Sequence, residues 1–320
     1  MATPSTNHLA HGATPSLNAL VAELLDLADV DLCKVLDEYG PGIQEWCPII
    51  VDNPFIDNMN DKALALKHSL HDQPLVLLAL WLVSTRPCKN GLHIMRCELY
   101  RALKQAIALL QSKNSIDLGT LQLSMLIGIY EIGHAMHAAA AQSLASCAAS
   151  LKLLDSQARS VKDERCIEII RRLNSSMLML DRMLPIAIVS SVLSVNISPI
   201  DPICVLVASK VGKSIPEHPQ VPHPTSARKV HIRSIVALAS GHVMQYIHSR
   251  YRELKPEMSY DQVDDIVSNC IKVLVDKPEP HTWLHCDAIA MAFCSHMLLQ
   301  QSEMKHHSAN MVHFTVPNSD

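Results

Sequence analysis

An all-α fold follows from three observations on this 320-residue chain. Hydrophobic residues make up 48% and charged residues 18%, enough apolar mass for a substantial core. That mass is Leu, Ala, Ile, Val and Met rather than aromatic (4%), and there are nine glycines, too few for a turn-rich β architecture. Successive segments also repeat their apolar residues at spacings of three and four, the period of a helix with one buried face.

Residues 1–14 read as a flexible polar tail. From Asn18 to Tyr39, Leu20, Val21, Leu24, Leu25, Leu27 and Ala28 form a helical stripe that Gly40-Pro41-Gly42 ends. An irregular segment follows to Asn60, broken at Pro48 and Pro54. Helices are then predicted over 61–71, 74–84, 92–112, 117–131, 134–154, 163–182 and 184–195, with Asp117 and Asp163 as N-caps. Pro216, Pro219, Pro222 and Pro224 forbid regular structure across a loop at 212–225. Three more helices are predicted at 226–254, 259–276 and 282–304, and 305–320 reads as a second tail. The expectation is one irregular multi-helix domain over 15–304.

Charge and composition exclude several classes of protein. The net charge is −4 and the pI near 6.5, whereas affinity for nucleic acid comes mainly from a basic face. Arg228 to Arg233, with Lys229 and His231, reads as the solvated start of a helix, so direct DNA binding by these residues is not expected. Pro74 to Val83 is too short to span a bilayer, and Asn196, Pro199, Asp201 and Pro202 interrupt Met183 to Ala208. Both stretches are read as buried helices, without a membrane role. Met1 to Pro15 is polar, so no signal peptide is expected there. The ten cysteines include no Cys-x-x-Cys and mostly sit in apolar patterns, which implies a reducing compartment without disulfides.

Residues that could carry chemistry fail on spacing. Gly212-Lys213-Ser214 ends like a phosphate-binding loop, but Val207 stands where its first glycine belongs, and Pro216 and Pro219 prevent the following helix. Asp261, Asp264 and Asp265 would need a further carboxylate where Lys272 sits, so they read as an acidic first turn of a helix rather than magnesium ligands. His281, His285, Cys286, Cys294 and His296 are the densest potential zinc set, yet His281 precedes the helix, and Cys294 and His296 point to different sides. No Gly-x-Ser-x-Gly occurs. No catalytic, cofactor-binding or metal-binding residue is assigned, and no enzymatic activity is expected. Glu131, Arg172, Asp181 and Arg182 are read as an ion-pair network between central helices, with Glu131 meeting Arg172 or Arg182. In the same helix Ile170, Leu173, Met177, Leu180 and Leu184 form the stripe that should face the core.

That helix also carries a sequence pattern. Arg171-Arg172-Leu173 is followed by Asn174-Ser175, an apolar run and Asp181-Arg182. It resembles a helix of the regulatory region in fungal binuclear zinc-cluster transcription factors, Arg-Arg-Leu-Trp-Trp, five mostly apolar residues, then Asp-Arg. Asn174 and Ser175 stand in place of the tryptophans. Leu121-Gln122 with Tyr130-Glu131 and Gly133, the alanine-rich stretch His137 to Leu154, Pro74 to Ser84 and Tyr100 to Leu110 resemble neighbouring helices of that region. The resemblance spans residues 70–300 and is clear over 98–182. It implies a transcription regulator-like protein that acts in the nucleus, or in the cytoplasm, through protein partners or a small-molecule effector. The family's zinc-cluster head needs six closely spaced cysteines that this sequence lacks, so a headless regulator is expected. A fungal secondary-metabolite gene cluster is the setting the family suggests. Two alternatives stay open. An all-α enzyme or small-molecule carrier would show an enclosed polar cavity with convergent acid-base groups, and a plain protein-binding scaffold would show an exposed apolar helix face.

Overall fold

The computed structural model describes residues 16–44, 46–50, 73–84, 98–112, 117–187, 225–275 and 286–314. Among these residues every regular element is helical, so the predicted all-α class holds. The predicted helix at 61–71, the proline loop at 212–225 apart from its last residue, Thr225, most of 184–195 and the first residues of 92–112 lie outside the described residues.

The first predicted helix is two helices. Helix α1 (Leu17–Leu27) starts at Ser16, whose hydroxyl oxygen accepts the Ala19 amide at 3.2 Å. Asp29 then turns left-handed (φ 52°), a conformation short polar side chains tolerate better than most. Helix α2 (Leu32–Tyr39) restarts at Asp31, whose carboxylate accepts the amides of Cys33 and Lys34. Gly40–Gln44 adds a π-helical turn rather than an abrupt stop. Gln44 fixes the segment beyond it, accepting from the Tyr39 hydroxyl at 2.9 Å and donating to the Ile50 carbonyl at 2.7 Å.

Helices α3 (Pro74–Ser84), α4 (Glu98–Ser112) and α5 (Leu118–Gly133) follow. Asp117 caps α5 as predicted, accepting the Thr120 amide at 2.7 Å. Left-handed Ala135 separates α5 from α6 (His137–Val161), which therefore starts after 134 and runs beyond 154 until left-handed Lys162 ends it. Asp163 accepts the Cys166 amide at 3.0 Å, the second predicted cap.

Helix α7 (Glu164–Ala187) does not end at 182, and Pro185 lies inside it. A proline removes one backbone donor, but burial of Leu180 (0% exposed) and Leu184 (3%) holds this turn against its neighbours. Helices α8 (Thr225–Tyr251), α9 (Tyr260–Val275) and α10 (Cys286–Phe314) complete the order. Ser259 and Gln262 cap α9 reciprocally, and α10 continues past residue 304, where its end was predicted.

Helix α5 packs against α3, α4, α6 and α7, while α8, α9 and α10 pack on one another. Helix α7 joins the two groups through α5 and α6 on one side and α8 and α10 on the other. Its predicted stripe is the buried one, with Ile170, Leu173, Met177, Leu180 and Leu184 all in the core. No helix among the described residues is long and apolar enough to cross a membrane.

Candidate functional site

Two buried charge centres flank this core. The first surrounds Glu131, near the end of α5, whose side chain is fully buried. Its Oε1 accepts from the Tyr100 hydroxyl at 2.7 Å and lies 3.0 Å from the Lys104 ammonium, both on α4. Lys104 also donates to Ser143 Oγ at 2.8 Å, so one cation ties α4 to α5 and α6. The Tyr100 and Tyr130 rings stack at 5.3 Å, and His134 stacks on Tyr130 at 3.9 Å. Burial, then the hydrogen bond to Glu131, pushes the Tyr100 phenol well above its ordinary value. Glu131 Oε2 is buried and has no hydrogen-bond partner among the described residues.

The second centre lies where α7 meets α8. Asp181 and Arg182 are both buried and contact each other directly. Gly241 of α8 makes the approach possible, because a Cβ there would stand 2.8 Å from Arg182 Nε and 3.0 Å from Nη2. Burial, then the Arg182 charge, lowers the pKa of His242, the next residue along α8. Arg233 grips Asp287 of α10 with two contacts, 2.5 Å from Nε and 3.2 Å from Nη2. Arg250 and Tyr246 both reach Glu303, and His296 and Gln300 share Asp264 at 2.9 and 3.0 Å.

Three expectations about charges change. Glu131 meets Lys104 and Tyr100, not Arg172 or Arg182, because α4 rather than α7 presents a cation to that end of α5. Arg172 is about half exposed and lies 3.5 Å from Glu168, one turn earlier on its own helix. Arg233, placed on a solvated helix start, is buried and paired. Asp181 and Arg182 are buried as a network reading requires, and they contact each other. Sequence reasoning missed Tyr100, Lys104, Asp287 and Glu303 as charge and hydrogen-bond partners, and Gly241 as the residue that admits Arg182. The only available signal was Tyr100 and Lys104 one turn apart on a single helix face.

Of the potential zinc set, His281 and His285 fall outside the described residues. Cys286 and Cys294 are exposed, while His296 is taken up by Asp264. The described residues hold no cluster of three or more His, Cys, Asp or Glu side chains suited to a metal. Gly212, Lys213 and Ser214 are also outside them. Asp261 and Asp265 are exposed near the start of α9, and Asp264 faces α10.

The buried thiols are poor nucleophiles. Burial pushes Cys47 and Cys147 each up to about 12, where the reactive thiolate is scarce at neutral pH. An alkylating reagent is therefore expected to label exposed Cys33, Cys286 and Cys294 in the native protein, and Cys47 and Cys147 only in urea. Site-resolved mass spectrometry reads this directly, and native labelling of Cys147 at the rate of Cys33 contradicts it.

His242 makes stability depend on pH. Its folded pKa lies below the ordinary value of 6.5, so the unfolded chain binds the proton more readily. The stabilisation is complete above about pH 6.5 and is lost as pH falls through the lower folded value. Urea midpoints at neutral and mildly acidic pH should fall less steeply for His242→Gln than for the native chain. Parallel slopes would remove His242 from the account.

Two clefts lie on the described surface. One, of about 490 Å³, lies between the turn after α1, α2 and α3 and includes Asp29, Asp31, Lys34, Glu38 and Trp81. The other, of about 280 Å³, opens among α4, α5 and α6 beside Lys104, Gln111, Gln142 and Ser143. The second places the Lys104 ammonium against the Ser143 hydroxyl, with the same ammonium paired to Glu131.

The fold and its polar groups thus define a helical protein with ion pairs buried at its helix contacts. No family model matches the sequence, and no solved structure matches it. The chain is 30% identical over 133 residues to transcription factor BOA15 of Botryotinia fuckeliana (strain B05.10), covering 42% of this chain and 71% of that protein. The chain belongs to the family of that fungal transcription factor.

Proposed function

We propose that this protein regulates transcription as a helical regulatory module of the fungal zinc-cluster type. The observation that carries this reading is kinship with a protein named as a transcription factor, across 71% of that relative. Arg171-Arg172-Leu173 and Asp181-Arg182 support the finer assignment, since Asp181 and Arg182 are buried at the junction of α7 with α8. The acidic balance of the chain favours control through protein partners or a small effector over direct contact with DNA. A nuclear location follows from this role, and the regulated genes would be a secondary-metabolite cluster.

Deletion of the gene followed by transcript sequencing tests the proposal, together with a fluorescent fusion to locate the protein. A coordinated fall in a contiguous set of biosynthetic transcripts, with nuclear fluorescence, is expected. Unchanged transcripts in a strain that normally expresses the protein would overturn it.

A further inference from the structure

Helix α1 presents a row of leucines to solvent. Leu17, Leu20, Leu24 and Leu27 are 50%, 47%, 41% and 79% exposed, while Val21 and Leu25 on the adjoining face are buried. The spacing of three, four and three is that of a helix–helix seam, so these leucines form one stripe rather than scattered surface residues. At the stripe's C-terminal end, Ala28 and Asp29 open into the cleft that contains Trp81. The surrounding charge has one sign. Residues 16–44 carry Glu23, Asp26, Asp29, Asp31, Asp37 and Glu38, all exposed, against the single cation Lys34.

We infer that this face of α1 and the cleft beyond it are a docking site for a basic amphipathic helix of a partner protein. The partner's apolar face would cover the leucines and its Lys or Arg row would meet Glu23, Asp26, Asp29 and Asp31. Charge decides against a second copy of this chain, because a symmetric pairing through the same face would set carboxylates against carboxylates. The surface is independent of the transcriptional role, since it needs only a partner of this chemistry.

Fluorescence anisotropy of the full chain with two labelled 18-residue helical peptides, one leucine–lysine and one leucine–glutamate, tests the site. The lysine peptide should bind at least about tenfold more tightly than the glutamate peptide, and added salt should narrow the gap. Leu20→Glu with Leu24→Glu should abolish this preference, and Leu109→Glu, on exposed α4 surface, should leave it unchanged. Glu23→Lys with Asp26→Lys keeps the leucines and should remove most of the preference, so the test does not rest on one variant's folding. Equal binding of both peptides, lysine-peptide binding that survives the leucine changes, or a native dimer that those changes dissociate would each overturn the assignment.

Discussion

Replacing Arg182 by methionine should destabilise the protein by about 3–5 kcal/mol, because it removes one member of a buried ion pair and leaves the Asp181 charge in the core. Both residues are buried, at 0% and 2% exposure, so water cannot replace the lost partner. The double variant Asp181→Asn, Arg182→Met should be more stable than Arg182→Met alone, since it removes the buried carboxylate charge as well. Gly241→Ala probes the same junction from α8. Alanine is the better helix former by about 1 kcal/mol, so propensity alone predicts a gain. The new Cβ would stand 2.8 Å from Arg182 Nε, and a buried, ion-paired side chain has little room to move. A net loss is expected. Urea unfolding of the three variants decides the matter, and a stabilised Gly241→Ala would show that Arg182 can shift freely.

This junction also marks how far sequence reasoning reaches. Helical period placed Ile170, Leu173, Met177, Leu180 and Leu184 in the core, and all are there. Burial of an apolar face is a local property, repeated along one helix and therefore visible in one dimension. Asp117 and Asp163 were legible for the same reason, since a cap acts within a turn. The break at Asp29 was not, because the leucine stripe runs through it without interruption. Nor was the continuity of α7 through Pro185, where packing against α8 and α10 outweighs one lost backbone bond. Charge partners are the least legible of all. Glu131 finds Lys104 across 27 positions of chain, and nothing near Glu131 in sequence distinguishes that cation from Arg172 or Arg182. Gly241 shows the same limit, for its role is defined by a side chain of another helix.

Loss of Glu131 should have the second large effect. Its carboxylate holds the Tyr100 hydroxyl and the Lys104 ammonium together, joining α4 to α5. Glu131→Ala leaves the phenol, on a residue 7% exposed, without its acceptor, and opens space at a site with no solvent access. Lys104 is about a third exposed and keeps Ser143, so its own loss is screened and only partly felt. The combined cost is put at about 2–4 kcal/mol, at the lower side of a fully buried pair. Tyr100→Phe removes one hydrogen bond and spares the ion pair, so it should cost less, about 1–2 kcal/mol. The order Glu131→Ala, then Tyr100→Phe, with the remote Arg172→Ala nearly neutral, separates this arrangement from one in which Glu131 pairs with α7. Arg172 lies beside Glu168 on exposed surface, where single ion pairs contribute about 0–1 kcal/mol. An Arg172→Ala loss as large as that of Glu131→Ala, in the same unfolding measurement, would restore the pairing across α5 and α7 and sink the Lys104 assignment.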